Sequence, residues 1–303
     1  MAFASIYLIW GSTYLGIRVA VETMPPFLMA AARFALAGSF LYGVMRWRGA
    51  PRPTLRQWRD AAIVGSLLLL GGNGSVAWAE QYVPSGITAL IIGASPFFMV
   101  LTEWAWPGGS RPGTGVMVAL LAGLAGVAWL AAPWEEAGAS LHTGGVLAIF
   151  VGCLCWSVGS IYSRHTPSTA NPFLASSLQM LSGSVALTLM AWAHGDFAAW
   201  DFGAVSSRSW IAFTYLVLFG SLIGFSTFVW LLKNTTPARV STYAYVNPVV
   251  AVFLGWAVLA EPITPRTLVA SAIIVGAVAI ITTRQTKQAP AAAQPPKTTE
   301  PET

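Results

Sequence analysis

Ten stretches of this chain are apolar and nearly free of charge: 2–21, 26–45, 60–82, 84–104, 114–132, 142–163, 172–192, 209–232, 238–259 and 264–283. About twenty residues of helix rise ~30 Å, the thickness of a bilayer's hydrocarbon core. Lipid offers the backbone no hydrogen bonds, so a segment of this kind must bond internally as a helix. Only 9% of the 303 residues are charged and 55% are hydrophobic. A soluble domain carries about 25% charged residues, so this chain cannot build a water-facing shell around so much apolar sequence. The expected fold is an all-α integral membrane protein of ten transmembrane helices. Pro25, Pro26, Pro84, Pro112, Pro133, Pro172 and Pro237 stand at or near the expected helix ends. From about Arg284 the chain turns rich in Ala, Pro, Gln, Lys, Thr and Glu, a composition expected to stay disordered.

The ten segments divide into two fives that repeat at an offset of about 150 residues. Trp10 and Arg18 are separated by seven residues, as are Trp156 and Arg164. Ser95-Pro96 lies inside an apolar run and is answered by Asn247-Pro248; Leu124-Ala125-Gly126-Val127 is answered by Ile274-Val275-Gly276-Ala277. With an odd number of spans per half, the second half enters the membrane from the opposite face. The expected units are a first five-helix repeat at 1–133, an inverted second one at 140–284, and a tail at 285–303. This is the plan of carriers whose site lies between the halves near the midplane.

Cations set the orientation. With a cytoplasmic N-terminus, inside segments hold Arg46, Arg48, Arg52, Arg56, Arg59, Arg111, Arg164, Lys233, Arg239, Arg284, Lys287 and Lys297, against Arg208 and Arg266 outside. That bias places both termini in the cytoplasm. It also accounts for the net charge of +5 without a nucleic-acid partner. Glu22, Glu135, Glu136, Asp196, Asp201 and Glu261 fall outside.

Polar groups within spans are costly and mark function or specific packing. Asn73, between Gly72 and Gly74, is read as an interhelical hydrogen bond or a substrate contact. Pro96 and Pro248 each free a carbonyl one turn earlier, so a matched pair of kinks is expected, with Ser95 and Asn247 beside them. Trp10, Tyr14 and Arg18 share one helical face; Trp156, Ser160 and Arg164 share another. Trp78, Tyr82, Tyr243 and Tyr245 add aromatic surface as ligand walls or as interfacial belts. Arg33 lies about two turns inside the second span and needs a partner; Glu80 is the candidate, as a structural ion pair or a coupling group. Glu103 is a further carboxylate within a span, and Gln179 adds a neutral polar group in the seventh. Cys153 and Cys155 point to nearly opposite helix faces and form neither a disulfide nor a metal pair.

The sequence holds no phosphate loop, no His-x-x-x-His pair and no nucleophile elbow. It therefore calls for no cofactor and no metal, and any transport must run on gradients. A membrane-embedded enzyme would need clustered His, Asp or Glu at one membrane face, and the three histidines are scattered.

Several stretches, taken in order, resemble the drug/metabolite transporter superfamily, EamA family, and its YedA-like exporters. They are Ile9-Trp10-Gly11-Ser12-Thr13-Tyr14, Arg33-Phe34, Gly72-Asn73-Gly74, Ala79-Glu80-Gln81 with Pro84-Ser85-Gly86-Ile87, Leu218-Phe219-Gly220-Ser221, and Tyr243-Ala244-Tyr245-Val246-Asn247-Pro248. The resemblance covers residues 9 to about 282. It implies ten helices in two inverted repeats, a cytoplasmic (inner) membrane location, and export of small organic metabolites. Two departures stand out. The first repeat lacks the glutamate that Glu261 supplies to the second, and Gln179 stands where relatives are expected to carry a carboxylate.

The combined expectation is a secondary exporter working by alternating access, with amino acids, aromatic ones included, as first substrates and lipophilic drugs as the alternative. Its site would draw on Trp10, Tyr14, Asn73, Trp78, Tyr82, Ser95, Pro96, Trp156, Gln179, Tyr243, Asn247 and Pro248. The partners are the small-molecule substrate and membrane lipid, and one chain suffices.

Overall fold

In the computed structural model the described residues are 1–109, 111–131, 142–166, 171–234, 240 and 243–288, and they carry helices and no strand. The principal helices are α1 (Ala2–Ala20), α2 (Pro26–Trp47), α3 (Leu55–Ala79), α4 (Ser85–Ala105) and α5 (Thr114–Ala131). They continue with α6 (Thr143–His165), α7 (Pro172–His194), α8 (Ser207–Asn234), α9 (Tyr243–Leu259) and α10 (Pro265–Gln288). Six of them, α2, α3, α4, α6, α7 and α8, are long and apolar enough to cross a membrane.

Several helix ends are set by local chemistry. Asn171 accepts from the Phe173 and Leu174 amides and caps α7, whose far end closes on Gly195 in the left-handed conformation. Helix α3 starts at Leu55, five residues before the expected position. Thr54 and Gln57 form a capping box there, so a polar first turn precedes the apolar run. Helix α10 continues to Gln288, beyond Arg284. The expected helix ends at Pro133 and Pro237, the charges at Glu135, Glu136, Arg239 and Lys297, and residues 289–303 lie outside the described residues.

The two proline positions behave differently. Helix α4 breaks at Gly93-Ala94, and Pro96 sits in the first turn of the segment that resumes at Ser95. Helix α9 runs on through Pro248. The expected pair of kinks is therefore one break and one unbroken helix. Pro248 instead packs its ring against the break: a Cβ at Gly93 would lie 3.0 Å from Pro248 Cγ.

A second pairing was not expected. Ser66–Gly74 in α3 and Leu216–Phe225 in α8 are wound as π-helix. Their starts are 150 residues apart, the offset of the sequence repeat. Such windings are rare and widen the helix locally, often at functional sites.

Contacts at one end of the bundle order the chain. Arg18 near the end of α1 donates to the Glu80 carbonyl at the end of α3. Tyr82, just past α3, stacks on His142, which caps α6 at 3.0 Å through the Gly145 amide. Ser209 in the first turn of α8 donates to the Val19 carbonyl. So α1 and α3 run toward this end, while α6 and α8 start from it. Small residues let helices meet closely elsewhere: Gly65 of α3 and Gly183 of α7 face each other, and a Cβ on Gly183 would lie 2.8 Å from the Gly65 carbonyl.

Candidate functional site

The site grows from two tryptophans and two π segments. Trp10 of α1 projects toward α8, where a Cβ at Gly224 would lie 2.5 Å from its Nε1. Trp156 of α6 projects toward α3, where a Cβ at Gly72 would lie 2.8 Å from its Cε3. Each indole thus rests on a glycine in the π segment of the other half. The rings meet edge to face at 5.6 Å. Phe228, almost fully buried, lies 5.0 Å from Trp10 and 5.1 Å from Trp156, and Tyr243 lies 5.4 Å from Trp10. Edge-to-face aromatic pairs contribute about 0.5–1.5 kcal/mol each beyond their burial, which fixes this wall.

Trp10, Trp156 and Tyr243, with Phe228 behind them, bound a cavity of about 80 Å³, room for a few water molecules. Polar groups on its wall are Thr13, Tyr14, Arg33, Asn73, Ser95 and Tyr243. Asn73 donates to the Leu68 carbonyl at 3.3 Å, five residues back, as π winding permits. Ser95 donates to the Ile92 carbonyl at 2.5 Å, across the break in α4, and faces Cys153 Sγ at 3.6 Å. Arg33 is 4% exposed and donates from Nε to Ser221 Oγ at 2.7 Å.

Of the residues singled out from sequence, the structure brings Trp10, Tyr14, Asn73, Ser95, Trp156, Tyr243 and Arg33 to this one cavity. Six others sit elsewhere. Trp78 and Tyr82 stack together and against His142 at the bundle end, with Tyr82 exposed. Gln179 lines a separate small pocket with Asp60 between α3 and α7. Pro96 is buried in α4 and Pro248 against Gly93. Asn247 is buried with its amide placed to donate to the Tyr7 and Tyr243 carbonyls at 3.1 and 3.2 Å.

The ion pair expected between Arg33 and Glu80 is not formed. Arg33 turns to the Ser221 hydroxyl, while both carboxyl oxygens of the fully buried Glu80 have no hydrogen-bond partner among the described residues. Arg164, the counterpart of Arg18 in the matching helix α6, pairs with Glu103 at 3.6 Å.

Comparison with known proteins assigns the chain. The profile of the EamA-like transporter family matches residues 1–132 and 143–283. The chain belongs to the EamA-like transporter family. It is 36% identical over 283 residues to the uncharacterized inner membrane transporter YedA of Escherichia coli K12, covering 93% of this chain and 89% of that one. It is 25% identical to the uncharacterized transporter YvbV of Bacillus subtilis, over 96% of this chain and 94% of that one. A chloroplastic WAT1-related protein of Arabidopsis thaliana is 22% identical, over 91% of this chain and 67% of that one. One protein of known crystal structure superposes with a TM-score of 0.68 at 21% identity, over 94% of this chain and 96% of that one, which shows a shared fold.

Within this EamA fold the structure assigns roles that the sequence did not. Cys153, read from sequence only as pointing away from Cys155, lines the cavity, as do Gly220 and Phe225. Two loop carboxylates bridge the halves. Glu261 accepts from the Ser85 amide at 2.8 Å, the Ser85 hydroxyl at 2.9 Å and the Gly86 amide at 3.1 Å, which caps α4. Asp196 accepts from the Phe27 and Leu28 amides at 2.8 and 2.9 Å, which caps α2, and meets His194 Nδ1 at 2.6 Å. A carboxylate there satisfies the orphan amides of a helix start and complements its dipole. The Glu-Pro at 261–262 was the only available signal, and it does not name the helix being capped.

Proposed function

We propose that this EamA protein is a secondary exporter of small organic metabolites, amino acids with apolar or aromatic side chains foremost, working by alternating access in a cytoplasmic membrane. The observation that carries the reading is the cavity between the halves. Its walls come from α1, α2, α3 and α4 on one side and α6, α8 and α9 on the other, and its apolar part includes Trp10, Trp156 and Tyr243, braced from behind by Phe228. A volume near 80 Å³ lies below the ~300–1,000 Å³ of open ligand pockets, so an aromatic amino acid enters only as the cavity widens during the transport cycle.

In this reading all of α1–α10 span the bilayer as two inverted five-helix units, 1–133 and 140–284, with both termini cytoplasmic. The recurrence of the π segments at the 150-residue offset supports that plan, as does the opposite direction of α1 and α6. Rocking of one unit against the other would expose the cavity to each face in turn.

The test is flux of a labelled amino-acid panel in proteoliposomes, with and without a pH gradient. Saturable flux of one class that falls at least tenfold in Asn73→Ala is expected. Saturable flux of lipophilic cations alone would replace the amino-acid reading with drug efflux.

A further inference from the structure

The geometry points to Arg33 as the anchor for a carboxylate on the transported molecule, with Ser221 as the residue that positions it. This rests on the transport reading above and narrows its substrate to small carboxylates.

Arg33 stands about two turns into α2, 4% exposed, on the wall of the central cavity. A guanidinium has five N–H donors and keeps its charge in any folded protein. Here the only hydrogen bond it makes among the described residues is from Nε to Ser221 Oγ, and no carboxylate lies within 4 Å of it. The Phe34 ring backs the guanidinium, with Cζ 4.8 Å from the ring centre. Ser221 fixes the Nε edge, which leaves the terminal nitrogens as a fork. Gly220 leaves room for that fork: a Cβ there would lie 2.6 Å from Nη2.

The rest of the lining makes the charge decisive. Thr13, Tyr14, Asn73, Ser95 and Tyr243 are neutral polar groups, and no Asp or Glu among the described residues lines the cavity. Among the described residues the cavity wall therefore carries one charged side chain, and it is positive. Glu80 is close enough to act on Arg33 through space but makes no hydrogen bond or ion pair with it, so the buried cation lacks a hydrogen-bonded anion, which is expensive, and its planar fork matches a carboxylate in two parallel hydrogen bonds. A carboxylate cargo supplies the missing anion. A cationic amine without a carboxylate meets repulsion and no compensating acid. The aromatic rings around Trp10 and Trp156 then receive the apolar remainder of the cargo.

The experiment uses the full chain in proteoliposomes and four related labelled compounds: L-phenylalanine, 3-phenylpropanoate, L-phenylalaninamide and 2-phenylethylamine. Both carboxylates should show a KM at least tenfold below the amide and the amine. Arg33→Gln should raise the carboxylate KM about 10- to 100-fold, the range for loss of a charged hydrogen-bonded contact, and leave the other two unchanged. Should Arg33→Gln fail to fold, Arg33→Lys and Ser221→Ala carry the test. Both should raise the carboxylate KM several-fold with kcat nearly unchanged, a split that mere destabilisation does not produce. Equal transport of all four compounds, transport of the amine alone, or a carboxylate preference that survives Arg33→Gln would overturn the anchor and leave a carrier standing. Absence of flux for all four would remove the amino-acid reading and the anchor together.

Discussion

Replacing Glu261 by alanine should loosen the contact that holds α9 against α4. The Glu261 carboxylate takes three hydrogen bonds from Ser85 and Gly86, and Ser85 is fully buried. Alanine leaves two helix-start amides without an acceptor, at about 1–3 kcal/mol each, and removes a favourable dipole contact of about 0.3–1 kcal/mol. Relaxation recovers part of this, so a net loss of about 3 kcal/mol is expected. If the contact exists only while this end is closed, the closed-to-open ratio falls by about 150-fold, at tenfold per 1.4 kcal/mol. Glutamine keeps one acceptor oxygen and should cost about 1 kcal/mol. Cys153 on the cavity wall is a native reporter. In a Cys155→Ser background, labelling of Cys153 by a membrane-impermeant maleimide should accelerate in the order Glu, Gln, Ala, and only from the face that carries the Glu261 loop. Equal labelling rates for all three, within twofold, would refute the idea that this carboxylate holds the end shut.

Other consequences are simpler. Gly65→Ala should destabilise the protein by about 1–3 kcal/mol or more in detergent melts, because its Cβ would collide with the Gln179 carbonyl and Gly183 amide, and backbone cannot move aside. Phe228→Ala should cost about 3–5 kcal/mol and raise the KM for aromatic substrates, since the ring braces both Trp10 and Trp156; a melting curve and a flux assay check the two parts separately. Glu80→Gln should abolish any response of flux to a pH gradient while exchange at equal pH continues, because no other carboxylate is fully buried and unpartnered among the described residues. Unchanged pH response in Glu80→Gln would remove that residue from coupling.

The membrane fold was legible because hydropathy over twenty residues is a strong signal, and most helix ends fell within a few residues of their expected places. Helix α3 began early because Leu55 to Asp60 is polar: its start is written in the capping box at Thr54 and Gln57, not in hydropathy. The cavity was partly legible. Trp10, Tyr14, Asn73, Trp156 and Tyr243 are conspicuous on apolar helices, whereas Gly220, Cys153 and Phe225 carry nothing that separates a wall residue from a packed one. Arg33 showed that a buried cation needs a partner, and sequence offered only carboxylates; the partner it has is the Ser221 hydroxyl, 188 residues away. Trp78 and Tyr82 looked like ligand walls because spacing alone cannot tell depth in the membrane, and both sit at the end beside His142. The π segments had only the glycines at 71, 72 and 74, and at 220 and 224, as a trace, and the tryptophans that pack on Gly72 and Gly224 come from the other half of the chain, out of reach of local sequence.

Counterflow tests the central claim most directly. Proteoliposomes loaded with unlabelled L-phenylalanine are diluted into a trace of the labelled compound. An alternating-access carrier predicts a transient accumulation of label above its outside concentration, lost in Trp10→Ala with Trp156→Ala. Label that only equilibrates, with no overshoot and no dependence on those two residues, would contradict a carrier with its site in this cavity.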